Sequence, residues 1–103
     1  MIIRFVEMTF RPDSVAEFLE MFDTVADRIR QSRGCHALSL LSSVEHEGVF
    51  VTYSVWDDEE CLHGYRNSDF FRETWTRTRK FFSAPPRARS YEVARGDTPF
   101  IAM

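Results

Sequence analysis

The chain has 103 residues, 44% of them hydrophobic and 15% aromatic, and a net charge of −3. That length makes a single domain able to bury roughly 65% of its unfolded surface, and the composition excludes general disorder. Acids and bases are interspersed, so the basic face that a nucleic-acid partner requires is missing, and no stretch approaches the roughly 20 apolar residues of a membrane span.

The first apolar run, MIIRFVEMTF, carries Arg4 and Glu7 inside it, which excludes a signal peptide and points to the cytoplasm. It alternates imperfectly: Ile2, Arg4, Val6, Met8 and Phe10 share one face, and Ile3, Phe5, Glu7 and Thr9 the other. Apolar residues on both faces describe a strand covered on both sides. Pro12 suits the first turn of a helix, and Ser14 with Glu17 has capping-box spacing. Val15, Phe18, Leu19, Phe22, Val25, Ala26 and Ile29 then recur at three and four residues, one apolar helical stripe, and Gly34 is placed to stop it.

His36 to Ser43 reads as a second strand. The polar turn Glu45-His46-Glu47-Gly48 returns the chain as a third, antiparallel strand from Val49 to Trp56. Asp57, with Glu60 three residues on, caps a short helix. Asn67 or Ser68 restarts a second helix through Phe71, Trp75 and Phe82, which Pro85-Pro86 ends. Arg87 to Val93 alternates as a fourth strand. Residues 1–93 are expected to form one domain, and residues 94–103 a loosely ordered tail or one draped over a partner.

The order β-α-β-β-α-β is that of a ferredoxin-like α+β fold with a four-stranded antiparallel sheet. Its helices cover one sheet face. The other face is also apolar, and a second copy of the chain would cover it. Ten Phe in so short a chain fit the same expectation of a homodimer. Cys35 and Cys61 lack metal-ligand spacing and read as free thiols. No clustered metal ligands, phosphate loop or Ser/His/Asp set occurs, so neither metal nor cofactor is expected.

The element order, with the runs Gly34-Cys35, Ser54-Val55-Trp56-Asp57 and Tyr65-Arg66-Asn67-Ser68-Asp69-Phe70-Phe71, resembles the antibiotic biosynthesis monooxygenase (ABM) superfamily from Met1 to about Val93. That resemblance implies a dimeric α/β barrel in which each subunit holds a pocket between sheet and helices. Many members oxidise phenolic or quinol-type compounds with molecular oxygen and neither metal nor flavin; others degrade haem, and some catalyse no oxygenation. The haem-degrading branch uses an Asn on the first strand, a Trp before the helix restart and a His on the last helix. Those positions hold Glu7, Tyr65 and Trp75 here, so haem degradation is not expected.

The function expected is therefore a cofactor-independent monooxygenase for a small aromatic, phenolic or quinol-like ligand. The alternative is a non-catalytic dimeric binding protein on the same fold. The face of Ile2, Val6, Met8 and Phe10 is apolar almost throughout and reads as the dimer contact. The helices are therefore expected over the face of Ile3 and Phe5, which makes Glu7 a desolvated carboxylate in the pocket and the candidate catalytic base. Phe5, Tyr65, Phe71 and Trp75 are then the substrate-binding candidates, aromatic walls for a planar ring.

Overall fold

The computed structural model describes residues 1–98; the end of the expected tail, 99–103, lies outside the described residues. Four antiparallel strands, β1 (Ile2–Thr9), β2 (Cys35–Ser42), β3 (Val49–Trp56) and β4 (Arg87–Tyr91), form one sheet in the order β2-β3-β1-β4. Three helices accompany them: α1 (Val15–Arg30), α2 (Glu59–Arg66) and α3 (Asp69–Arg79). The fold is α+β and ferredoxin-like. β1 and β3 occupy the middle of the sheet, with Arg4 opposite Ser54 and Glu7 opposite Val51.

The helices lie over the even-numbered face of β1, not over the Glu7 face. Met8, Phe10, Phe18 and Met21 form a buried cluster there, with Val6, Leu40, Phe50 and Trp75 packed against it. Ile2 and Trp56 bury against Cys61 and Leu62 of α2. The odd-numbered face holds a separate cluster of Ile3, Tyr53 and Val55, with Phe5 and Ala37 beside it. Glu7 is exposed. Because side chains alternate along a strand, this single inversion moves every residue of β1 to the opposite layer.

Local chemistry explains where the elements start and stop. α1 begins one residue after a 3-10 turn at Pro12–Ser14, and the expected Ser14 cap is not made. Ser14 Oγ instead accepts from Arg11 Nη2 at 2.9 Å. The cap of α2 is Asp58, one residue beyond Asp57, and its carboxylate accepts from the Cys61 backbone N–H at 2.8 Å. Asp57 turns instead to His36, which faces it from β2. Ser68 caps α3 as expected, accepting from Phe71 N–H at 3.1 Å.

Gly34 adopts φ 79° at the entry to β2, a left-handed conformation that favours glycine. A Cβ there would fall 2.6 Å from Cys61 Sγ and 2.7 Å from Cys61 Cβ, so this corner and α2 meet backbone to side chain. The Cys61 thiol is pushed up by burial and by Asp58, and burial also raises that of the half-buried Cys35. Neither has the character of a thiolate nucleophile.

Two consequences are measurable. Met8 is 2% exposed beneath the helices. Met8→Asp is therefore expected to unfold the chain, since an unpaired buried carboxylate costs several kcal/mol. Circular dichroism reads this as lost helix, and a folded mutant that merely dissociates would contradict it. Hydrogen bonding from the Cys61 backbone N–H, and then from its thiol, holds the Asp58 carboxyl below the usual aspartate range. That stabilisation is complete above the unfolded-state value and disappears as pH falls through the lowered folded one. Asp58→Asn should thus melt below the wild type near neutral pH, the gap closing in acid.

Candidate functional site

Between the even-numbered sheet face and the helices lies a cavity of about 250 Å³. Its sheet side is built by register. Arg4, Val6 and Met8 of β1 stand beside Thr52, Ser54 and Trp56 of β3, with Leu38 of β2 and Ala88 of β4. Residues of α1 close one side, and Leu62, Tyr65, Arg66, Phe71, Thr74, Trp75 and Thr78 of α2 and α3 close the other.

The wall on the α2–α3 side is a chain of ring contacts. Tyr65 stacks on Trp56 with centroids 5.0 Å apart, and Phe71 meets Tyr65 edge-on at 5.1 Å. Trp75 lies nearly parallel to Phe71 at 6.0 Å and meets Phe82 at 5.6 Å. The break between α2 and α3 puts Tyr65 and Phe71 on two short helices, so both rings face inward without sharing one helical stripe.

Polar groups are few and mostly committed. The Trp56 indole N–H donates to Ser54 Oγ at 2.9 Å in a buried pair. Thr78 donates to the Thr74 carbonyl at 2.8 Å. Tyr65 differs: no hydrogen bond to its hydroxyl is found among the described residues. Burial, with a smaller contribution from Cys35, pushes its phenol far above the ordinary tyrosine range. It is a neutral O–H donor across the physiological pH range. At the mouth, Arg4 Nη1 donates to Ser90 Oγ at 2.9 Å, and Arg66 reaches the same space from the last turn of α2.

Of the residues singled out in the sequence, Tyr65, Phe71 and Trp75 all line this cavity. Phe5 and Glu7 do not. Phe5 contacts Tyr53 and Tyr91 on the opposite face, at 5.3 and 5.7 Å. Glu7 is exposed there, across from Arg87 in register. The carboxylate expected in the pocket is thus separated from it by the thickness of the sheet. Arg4 and Arg66 were passed over. The signal was Arg4 itself, a charge in the middle of an apolar strand on the face that carries Val6, Met8 and Phe10.

No carboxylate or histidine lines the cavity among the described residues, and none of their side chains form a group able to hold a metal ion. No helix among them is long and apolar enough to cross a membrane.

The fold is a ferredoxin-like α+β domain with a partly open cavity between its sheet and helices. The family model for antibiotic biosynthesis monooxygenase matches residues 1–77, and the chain belongs to that family. Solved structures share the fold at low identity. An antibiotic biosynthesis monooxygenase superimposes with TM-score 0.85 at 16% identity, covering 92% of this chain and 100% of the other. A conserved protein of Methanosarcina mazei Go1 gives 0.82 at 21% identity, covering 88% and 91%.

Curated relatives are more distant in extent. A Synechocystis protein, sll1783, is 22% identical over 85% of this chain and 60% of its own length. A Haloarcula marismortui protein provisionally named for heme binding is 30% identical over 77% of this chain but 12% of its own. The chain therefore spans less than two thirds of either.

The buried Trp56–Ser54 pair gives a direct test of how the cavity floor is held. Ser54→Ala leaves the indole N–H without its partner and is expected to lower stability by about 1–3 kcal/mol in denaturant titration. An unchanged midpoint would show that the bond is dispensable.

Proposed function

We propose that this chain is a monooxygenase that needs no cofactor and oxidises a small aromatic, phenolic or quinol-like compound with molecular oxygen. The observation that carries the reading is the cavity, lined by Trp56, Tyr65, Phe71 and Trp75 and largely apolar, in a member of this family. For a substrate carbon bearing two hydrogens, the balance is R₂CH₂ + O₂ → R₂C=O + H₂O. The ionised substrate passes an electron to oxygen, the pair recombines as a hydroperoxide, and water leaves. All the electrons come from substrate, so the protein supplies orientation, dryness and hydrogen bonds. Phe71 and Trp75 flank the ring, and the neutral Tyr65 hydroxyl donates to the substrate oxygen or the nascent peroxide.

Haem fits the residues poorly. The lining set offers no imidazole or thiolate among the described residues, and the raised Tyr65 phenol resists ionising to ligate iron. The absence of a carboxylate base favours a second reading, a non-catalytic binding protein on the same fold.

The working unit in this reading is a cytoplasmic homodimer joined through the odd-numbered sheet face. Leu41 and Tyr91 stay exposed at the two edges of that face, Phe5 half-buried between them. A stable dimer would bury on the order of 1,600 Å² there.

Oxygen uptake with a panel of quinols, naphthols and anthrone-type compounds separates the readings. Turnover is expected with one oxygen atom incorporated. Thr52→Phe, which fills the cavity, should abolish it while the melting temperature holds. Binding without oxygen uptake across the panel would select the non-catalytic reading. Light scattering on the same sample should read two chains; a lone 12.1 kDa species would exclude the dimer.

A further inference from the structure

Two guanidiniums share the mouth of an apolar cavity, and neither is neutralised. Arg4 stands on the central strand β1 and Arg66 on the last turn of α2, and both line the cavity. Both also line an outer basin that adjoins it, where Glu59, Glu60 and His63 of α2 appear as well. Glu59 and Glu60 lie in the first turn of that helix, at the end away from Arg66. The ion pairs found among the described residues are Arg30–Asp27, His36–Asp57 and Arg72–Asp69. Arg4 and Arg66 are in none of them.

A guanidinium carries five N–H donors in a planar fork. The side-chain hydrogen bond found for Arg4 ends on Ser90, a neutral hydroxyl, and none is found for Arg66 among the described residues. A like charge nearby raises the cost of keeping the half-buried Arg4 ionised. Its pKa is lowered first by burial and then by the Arg66 charge. A strand arginine kept only for packing would sit beside a carboxylate. Here the neighbours across the sheet are Ser54 and Ser90, both short and uncharged. Donors on both guanidiniums that make no hydrogen bond among the described residues therefore border the same space as the aromatic wall.

We infer that the ligand of this cavity is an amphiphilic aromatic anion. Its ring system lies against Tyr65, Phe71 and Trp75, and its oxyanion, a carboxylate or an ionised hydroxyl, lies between Arg4 and Arg66. The inference rests on the reading of the cavity as a ligand site and narrows its substrate class. It also bears on the proton. A hydroxyl held between two guanidiniums ionises more readily than in water, so the oxygen-reactive anion forms without a protein base.

Quenching of Trp56 and Trp75 fluorescence by 2-naphthoate and by its uncharged isostere 2-naphthamide reads the charge preference. The naphthoate should bind tighter by roughly tenfold or more, the scale of a lost charge-assisted bond. Arg66→Gln, at an exposed position that folding tolerates, should remove most of that preference and leave naphthamide affinity within about twofold. Arg4→Gln should do the same, and Arg4→Lys, which keeps the charge, should retain most of it. 4-Nitrophenol separates the two oxyanions: a rise in its yellow ionised form on binding, absent in Arg66→Gln, assigns the hydroxyl. Naphthoate preference without that rise assigns the carboxylate. Equal affinity for naphthoate and naphthamide overturns the inference and leaves the cavity reading standing. Failure of both ring compounds to quench overturns the two together.

Discussion

β1 and β3 run side by side in the middle of a four-stranded sheet, and each must bury both of its faces. Which face lies under the helices decides the rest of the molecule. With Ile2, Arg4, Val6 and Met8 turned inward, the floor of the cavity becomes Thr52, Ser54 and Trp56, set by antiparallel register. With Ile3, Phe5 and Glu7 turned outward, an aromatic surface is left on the far side of the sheet, with Glu7 opposite Arg87 and Phe5 opposite Arg89. A shift of one residue would exchange the two, giving a cavity with a carboxylate and no guanidinium on β1.

The helical layer leaves the space that this floor needs. α2 and α3 are short, and the break at Asn67 lets Tyr65 and Phe71 approach from different axes. A closed, empty void of this size would forgo at most roughly 6 kcal/mol at about 24 cal/mol per Å³, comparable to the whole stability of a small domain. Phe is plentiful in this chain and could fill it. Phe18, Phe22 and Phe71 line it without closing it, and the small hydroxyl residues Thr52, Ser54, Thr74 and Thr78 complete the lining.

The order and most starts of the elements were legible in the sequence, because each rests on local chemistry. The last helix, expected through Phe82, ends at Arg79, and Phe82 bridges to Phe10 instead. The fourth strand, expected to Val93, ends at Tyr91. The three- and four-residue stripe of α1, the turn at Gly48 and the restart at Ser68 are short-range signals. The Asp57 and Ser14 caps were displaced because several acids or hydroxyls compete at each helix start, and pairing with His36 or Arg11 decides the outcome. The orientation of β1 was not legible. Each of its faces carries several apolar residues and one charge, Arg4 or Glu7, so alternation alone does not choose between them. The choice depends on packing against α1 and on the register with β3, both long-range. Tyr65, Phe71 and Trp75 line the cavity because they sit on helices whose inward faces the sequence does define. Arg4 and Glu7 exchanged places.

Gly34 ties this arrangement to a distant part of the chain. Its bare backbone is the seat on which Cys61 rests, and Cys61 lies on the same short helix as Tyr65 and Arg66. The corner after α1 thereby acts as a distance gauge for α2. A side chain at this corner would push α2 outward. The placement of the helix that carries Leu62, Tyr65 and Arg66 of the cavity lining thus depends on the absence of one methyl group at a residue outside the cavity.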